Sequence, residues 1–161
     1  MSTKFRPKVI REATTSSDII TVSTLFREYA ASLGHDLEFQ HFSRELETLP
    51  GEYAGPAGCL LLAWEGDEAL GCVAIRPLEF PEIGELKRLF VRPGYRGREL
   101  GRTLCTEAIA RARGMGYRRL RLDTMPSMHE ARRLYTNLGF REISAYRFNP
   151  ISGAIFMELS I

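Results

Sequence analysis

The chain has 161 residues, 44% hydrophobic and 26% charged, the balance of an ordinary globular protein and the length of one domain, taken as residues 1–161. That excludes a disordered tail, a collagen-like chain and a coiled coil, and apolar runs such as Cys59-Leu-Leu-Leu-Ala-Trp64 fall far short of the roughly 20 residues that cross a bilayer. The net charge of +2 is unevenly spread: residues 1–86 carry 7 Lys/Arg against 14 Asp/Glu, whereas residues 87–121 carry 11 against only Glu99 and Glu107.

The basic centre points to a polyanionic partner and the acidic first half to a cation, although arginine runs also simply solvate a helix face. No apolar stretch follows the charged N-terminus, so it does not read as a signal peptide. Cys59, Cys72 and Cys105 are odd in number and never spaced CxxC, which suits buried thiols in a reducing cytosol. The expected location is therefore cytoplasmic, away from membranes.

In chain order, Val9–Ala13 predicts a strand. Thr15-Ser-Ser-Asp18 is rich in capping oxygens and opens a helix with Ile19, Val22, Leu25, Phe26, Tyr29 and Leu33 on one stripe, stopped by Gly34. A short helix is expected from His41 to Leu49. Two strands, Cys59–Glu65 and Leu70–Leu78, flank the turn pair Gly66-Asp67, and a third runs from Ile83 to Val91 into Pro93-Gly94. From Arg98 to Met115, Leu100, Leu104, Ala108 and Ala112 recur every four residues, one face of a helix. Leu120–Leu122 is a short strand. Ala131, Leu134, Tyr135 and Leu138 mark a second amphipathic helix closed by Gly139, and strands around Glu142 and over Ala154–Leu159 end the chain. The order β-α-α-β-β-β-α-β-α-β-β predicts an α/β (α+β) fold, a mixed sheet with helices on its faces.

The informative segment is Leu89-Phe-Val-Arg-Pro-Gly-Tyr-Arg-Gly-Arg-Glu-Leu-Gly101. A strand ends, a turn reverses the chain, and a helix starts with unpartnered N–H groups at its positive end. Gly97 removes bulk where backbone would approach a phosphate, Gly101 would allow close helix–sheet packing, and Arg96, Arg98 and Arg102 add positive charge. Together these features form a pyrophosphate site. Neither the Walker pattern nor GxGxxG is present, and an arginine-glycine turn before a helix is often only a cap.

Arg96-Gly-Arg-Glu-Leu-Gly101 after Leu89-Phe-Val91 resembles the acetyl-CoA signature of the GNAT N-acetyltransferase superfamily, Gln/Arg-x-x-Gly-x-Gly/Ala. Ala131-Arg-Arg-Leu-Tyr-Thr-Asn-Leu-Gly-Phe140 resembles its second hallmark. The resemblance implies the acyl-CoA N-acyltransferase fold, with a mostly antiparallel sheet V-splayed at the acetyl-CoA site. It also implies acetyl-CoA as co-substrate and a cofactor site from Leu89, Phe90, Val91, Arg96, Gly97, Arg98, Glu99, Leu100, Gly101 and Arg102. Two positions depart from the pattern: Glu99 replaces its first glycine, and Met128 replaces an asparagine that many relatives carry.

Transfer of acetyl from a thioester to an amine needs a docked donor, a polarised carbonyl, a neutral amine and an acid for the thiolate. The resemblance assigns backbone N–H groups near Leu89–Val91 to the carbonyl and Tyr135 to the acid, although a core tyrosine would fit the same stripe. Glu85 is the candidate base, or orders a base water, with Glu82 as its rival. Lys87 or Arg88 could meet an acceptor carboxylate. Phe39, Tyr53, Tyr146 and Asn149 fall in segments that border an acceptor pocket in this fold. His35, His41 and His129 share no metal-ligand spacing, so no metal is expected.

The expected function is N-acetyl transfer to a primary amine, a small metabolite or amino-acid-like acceptor ahead of a protein. The alternative is an inactive CoA-sensing or protein-binding module, motivated by Glu99 and Met128. A nucleic-acid partner is disfavoured, since no interleaved aromatics accompany the arginines. The oligomeric state is open, pairing through a C-terminal strand being one route to a homodimer.

Overall fold

The computed structural model describes residues 8–34, 36–38, 41–97 and 99–161. His35, Phe39 and Arg98, singled out in the sequence, lie outside the described residues.

Strand β1 (Lys8–Glu12) is followed by helix α1 (Ser16–Leu33). Thr15 and Asp18 form a reciprocal capping box at its start, and Gly34 ends it in the left-handed region at φ 67°, as the capping oxygens and the glycine predict. Helix α2 (Phe42–Thr48) is shorter than expected by a residue at each end. Strands β2 (Cys59–Glu65) and β3 (Glu68–Glu79) form the expected hairpin about Gly66-Asp67, and β4 spans Ile83–Val91. Helix α3 (Leu100–Gly114), β5 (Arg119–Thr124), α4 (His129–Leu138), β6 (Arg141–Ile143) and β7 (Ile155–Ser160) complete the predicted order.

The strands make one seven-stranded sheet in the order β1-β2-β3-β4-β5-β7-β6. Every neighbouring pair is antiparallel except β4 with β5. Both faces are covered, which explains the unbroken apolar run of β2. Cys59, Leu61 and Ala63 join Leu104, Ala108 and Ala112 of α3 on one face. Leu60 and Leu62 join Val22, Leu25 and Phe26 of α1 on the other. Strand β7 is flanked by β5 and β6, so the outer C-terminal edge belongs to the three-residue β6.

One feature of this sheet positions the site. β4 and β5 pair only where Ile83–Glu85 meets Arg119–Arg121. From Leu86 onward β4 has no β5 partner, so its backbone groups on that side are left without a ladder. On its other edge the register with β3 shifts between Cys72 and Ala74, leaving Arg88 in a bulge at φ 59°. A bulge re-aims a side chain and strengthens local twist. The V-shaped opening expected from the resemblance follows from these two irregularities.

Candidate functional site

The arginine-glycine turn sits beyond the open end of β4. Pro93–Tyr95 forms one 3₁₀ turn, and the Arg96 Nε–H donates to the Val91 carbonyl at 2.9 Å, tying the turn to the strand. Gly97 has φ +76°, and an added methyl would meet nothing within 4 Å. The backbone conformation, not crowding, therefore demands glycine. Helix α3 starts at Leu100 after an exposed Glu99 at φ 58° whose side chain makes no capping bond. Among the described residues, the first N–H groups of the helix, Leu100, Gly101 and Arg102, thus have no side-chain cap, and a helix start gives them no intrahelical partners. Arg96 and Arg102 are exposed beside them. At Gly101 a methyl would meet Leu134 at 3.6 Å and Val91 at 3.9 Å. Those are ordinary contacts, so the helix–sheet packing that glycine is expected to allow has room for an alanine as well.

Where β4 and β5 part lies a cavity of about 30 Å³, room for about two waters. Leu86–Leu89 of β4, Asp123–Met125 at the end of β5, Tyr135 of α4, and Asn149 and Ile151 of the β6–β7 connection line it. Phe90 and Val91 do not; Phe90 packs with the α1 face and Val91 with the α3 face. Tyr135 is 5% exposed, and burial pushes its phenol well above its usual value of 10, so it stays protonated at neutral pH. Met128 also lines the cavity, and the Thr124 hydroxyl reaches its sulfur at 3.6 Å. In the sequence Tyr29 reads only as part of the apolar stripe of α1, and Asp123, Met125 and Ile151 carry no motif that marks them.

Both cations expected to meet an acceptor carboxylate already face carboxylates of the protein. The Arg88 guanidinium donates to both Glu45 oxygens, at 2.9 and 3.0 Å, and Tyr53 donates to the same carboxylate at 2.9 Å. Burial alone would lower the Arg88 pKa; Glu45, Tyr53 and Tyr29 together more than reverse this, so Arg88 stays cationic. Lys87 Nζ lies 3.8 Å from Asp123 Oδ1. Burial and Arg88 pull the Lys87 ammonium down to about 8 against the opposing Glu85 and Asp123.

Glu85 is fully buried and is not among the described residues that line the cavity. It accepts from Arg76 Nε at 2.8 Å, from the Tyr146 hydroxyl at 2.6 Å and from Arg147. Burial would raise its pKa, but Lys87, Arg76 and Arg147 outweigh burial and hold it at about 2. Such a carboxylate takes up a proton poorly near neutrality, and its three donors occupy the oxygens a base would use. Arg76 lies directly opposite Glu85 across the β3–β4 pair, a cross-strand match of opposite charges. Glu82, its rival, immediately precedes β4, away from the cavity, and its backbone carbonyl accepts from the Arg118 and Arg119 backbone N–H groups.

Among the described residues no group of three or more His, Cys, Asp or Glu side chains is placed to hold a metal, and no helix is long and apolar enough to cross a membrane.

The site thus joins an open wedge between parallel strands to a helix start that has no side-chain cap and stands beside exposed arginines. The acetyltransferase (GNAT) family model matches residues 22–140. An uncharacterised N-acetyltransferase of Schizosaccharomyces pombe is 39% identical over 145 residues, 89% of each chain. The IAA acetyltransferase of Azospirillum brasilense is 33% identical over 117 residues, 71% of this chain and 72% of that one. Among solved structures, an acetyltransferase from Streptococcus agalactiae superposes with a TM-score of 0.78 at 22% identity, covering 98% of this chain and 100% of that one. The PaiA N-acetyltransferase of Thermoplasma acidophilum in complex with coenzyme A gives 0.74 at 19%, covering 96% and 99%. The chain belongs to the GNAT family of acetyltransferases. It is an acetyl-CoA-dependent N-acetyltransferase.

Proposed function

We propose that residues 1–161 act as one cytoplasmic domain that passes the acetyl group of acetyl-CoA directly to a primary amine, a small or amino-acid-like metabolite ahead of a protein. The observation that carries this reading is the parting of β4 from β5 after three paired residues, with Tyr135 on the wall of the resulting cavity. In this reading the turn over Arg96, Gly97, Arg98, Glu99, Leu100, Gly101 and Arg102 takes the diphosphate on helix N–H groups and arginines. The β4 segment Leu89, Phe90 and Val91 presents backbone N–H groups to the pantetheine arm and the acetyl oxygen.

Tyr135 serves as the acid. A protonated phenol beside the sulfur stabilises the departing thiolate by donating to it. Glu85 works as a positioning residue. Through Tyr146 and Arg147 it holds the β6–β7 connection, whose Asn149 reaches Asp123 at 3.2 Å on the cavity wall. A small acceptor is favoured by the tight cavity and by the neighbouring groove of about 480 Å³, which shares Met125 and Ile151 with it.

The test is a thiol-release screen of amines, amino acids and peptides with acetyl-CoA, alongside calorimetric binding of acetyl-CoA. Release stimulated by small amines and abolished by Tyr135→Phe is the expected result. Binding without stimulated release across the whole panel returns the chain to the CoA-sensing module.

A further inference from the structure

We infer that Lys87 is the residue that takes the proton an incoming ammonium must shed, an assignment that rests on the acetyl-transfer reading above. The acceptor nitrogen needs a lone pair before it can attack, so a proton acceptor must touch the cavity. The nearby carboxylates are poorly suited to this. Glu85 is engaged by Arg76, Tyr146 and Arg147 and lies off the wall. Glu45 is bonded to Arg88 and Tyr53. Asp123 is on the wall but accepts from Asn149 and faces Lys87.

Lys87 lines the cavity with Tyr135, and its side chain is 3% exposed. Its Nζ lies 3.8 Å from Asp123 Oδ1 on the same wall. A buried ammonium is disfavoured relative to the neutral amine. The groups around Lys87 come from every side: Glu85 and Arg88 on β4, Arg76 on β3, Asp123 on β5, Tyr135 on α4, Tyr29 on α1, and Tyr146 and Arg147 behind Glu85. Burial, Arg88 and Arg76 favour the neutral amine and the two carboxylates the ammonium, and the balance falls at about 8, close to working pH, where a proton acceptor is most effective.

Neutral Lys87 takes one N–H proton from the acceptor ammonium, and the freed electron pair forms the bond to the acetyl carbon. The carbon–sulfur bond then breaks, and the sulfur takes the Tyr135 proton. The new amide gives its surplus proton to the Tyr135 phenolate. Lys87, left as an ammonium beside Asp123, discharges to water, which closes the cycle.

Two measurements test this: the thiol-release rate against pH, and the midpoint at which the Lys87 Cε carbon titrates by NMR in the wild type. The nucleophile is the best amine of the screen, and the Cε midpoint needs no nucleophile. Expected are a wild-type kcat/KM limb and a Cε midpoint both near 8. Lys87→Met and Lys87→Arg should each lose the limb and about 100-fold in rate, with acetyl-CoA affinity kept. Arginine restores the charge without the proton acceptor, so an active Lys87→Arg enzyme overturns the assignment. So does a limb that persists in Lys87→Met, or a Cε midpoint at the ordinary lysine value of about 10.4. Failure of wild-type protein to bind acetyl-CoA would instead strike the acetyl-transfer reading, while the Lys87 titration is read independently of it.

Discussion

Arg96 and Arg102 stand in solvent at the turn before α3, whereas Lys87 and Arg88, a few residues earlier, are about 4% exposed and each faces a carboxylate. Exposed arginines around unpartnered N–H groups cost the fold little and remain available to a strongly anionic ligand. Buried ions carry a desolvation penalty and must be matched inside the protein, so they fix one geometry instead of waiting for a guest. The donor end of the wedge is thus built from solvated charge and the acceptor end from internally paired charge.

The sharpest way to break this contrast lies at the acceptor end. Tyr135→Phe should lower thiol release about 100-fold or more while calorimetry finds acetyl-CoA affinity unchanged. Next comes Glu85→Ala, which strands Arg76 and Arg147 and should cost about 3 kcal/mol in a urea melt. The matching pH dependence has a definite sign. The Glu85 pKa is depressed to about 2 in the folded protein, so its contribution is complete above its unfolded value of about 4.3 and is lost as pH falls towards 2. Acid titration of the wild type should therefore be steeper than that of Glu85→Ala over that window.

The donor end should respond in binding and barely in folding. Arg96→Ala is expected to weaken acetyl-CoA about tenfold, the effect shrinking as salt rises, because the charge it removes is exposed. The smallest effects come from the two glycines. Gly97→Ala should cost about 1 kcal/mol because of its positive φ, whereas Gly101→Ala, helical and unclashed, should leave thermal stability the same or slightly higher.

Much of the fold was legible in the sequence because periodicity and punctuation agreed: Thr15 and Gly34 bound α1, Gly66-Asp67 closes the hairpin, and Gly139 ends α4. The turn at Arg96–Gly101 was legible for the same reason, since backbone requirements leave a local mark. The acceptor side was not. Its walls join residues distant in sequence, such as Arg88 with Glu45 and Glu85 with Arg147, and nothing local records which carboxylate a cation will meet. Glu85 could be named a candidate base from its position alone, but the burial and the three donors that argue against that role belong to the packed sheet.

The short β4–β5 seam has a wider consequence. Among the described residues, three on each strand make up the backbone register of the parallel junction, so along that border the ladder is short and side chains carry most of the fastening. A coenzyme wedged there would serve as a splint across that border, and saturation at about 100 times Kd would add about 2.7 kcal/mol to unfolding by mass action. Melting temperature should then climb with acetyl-CoA, and hydrogen exchange should slow first in the amides of Leu86–Val91 that face the gap.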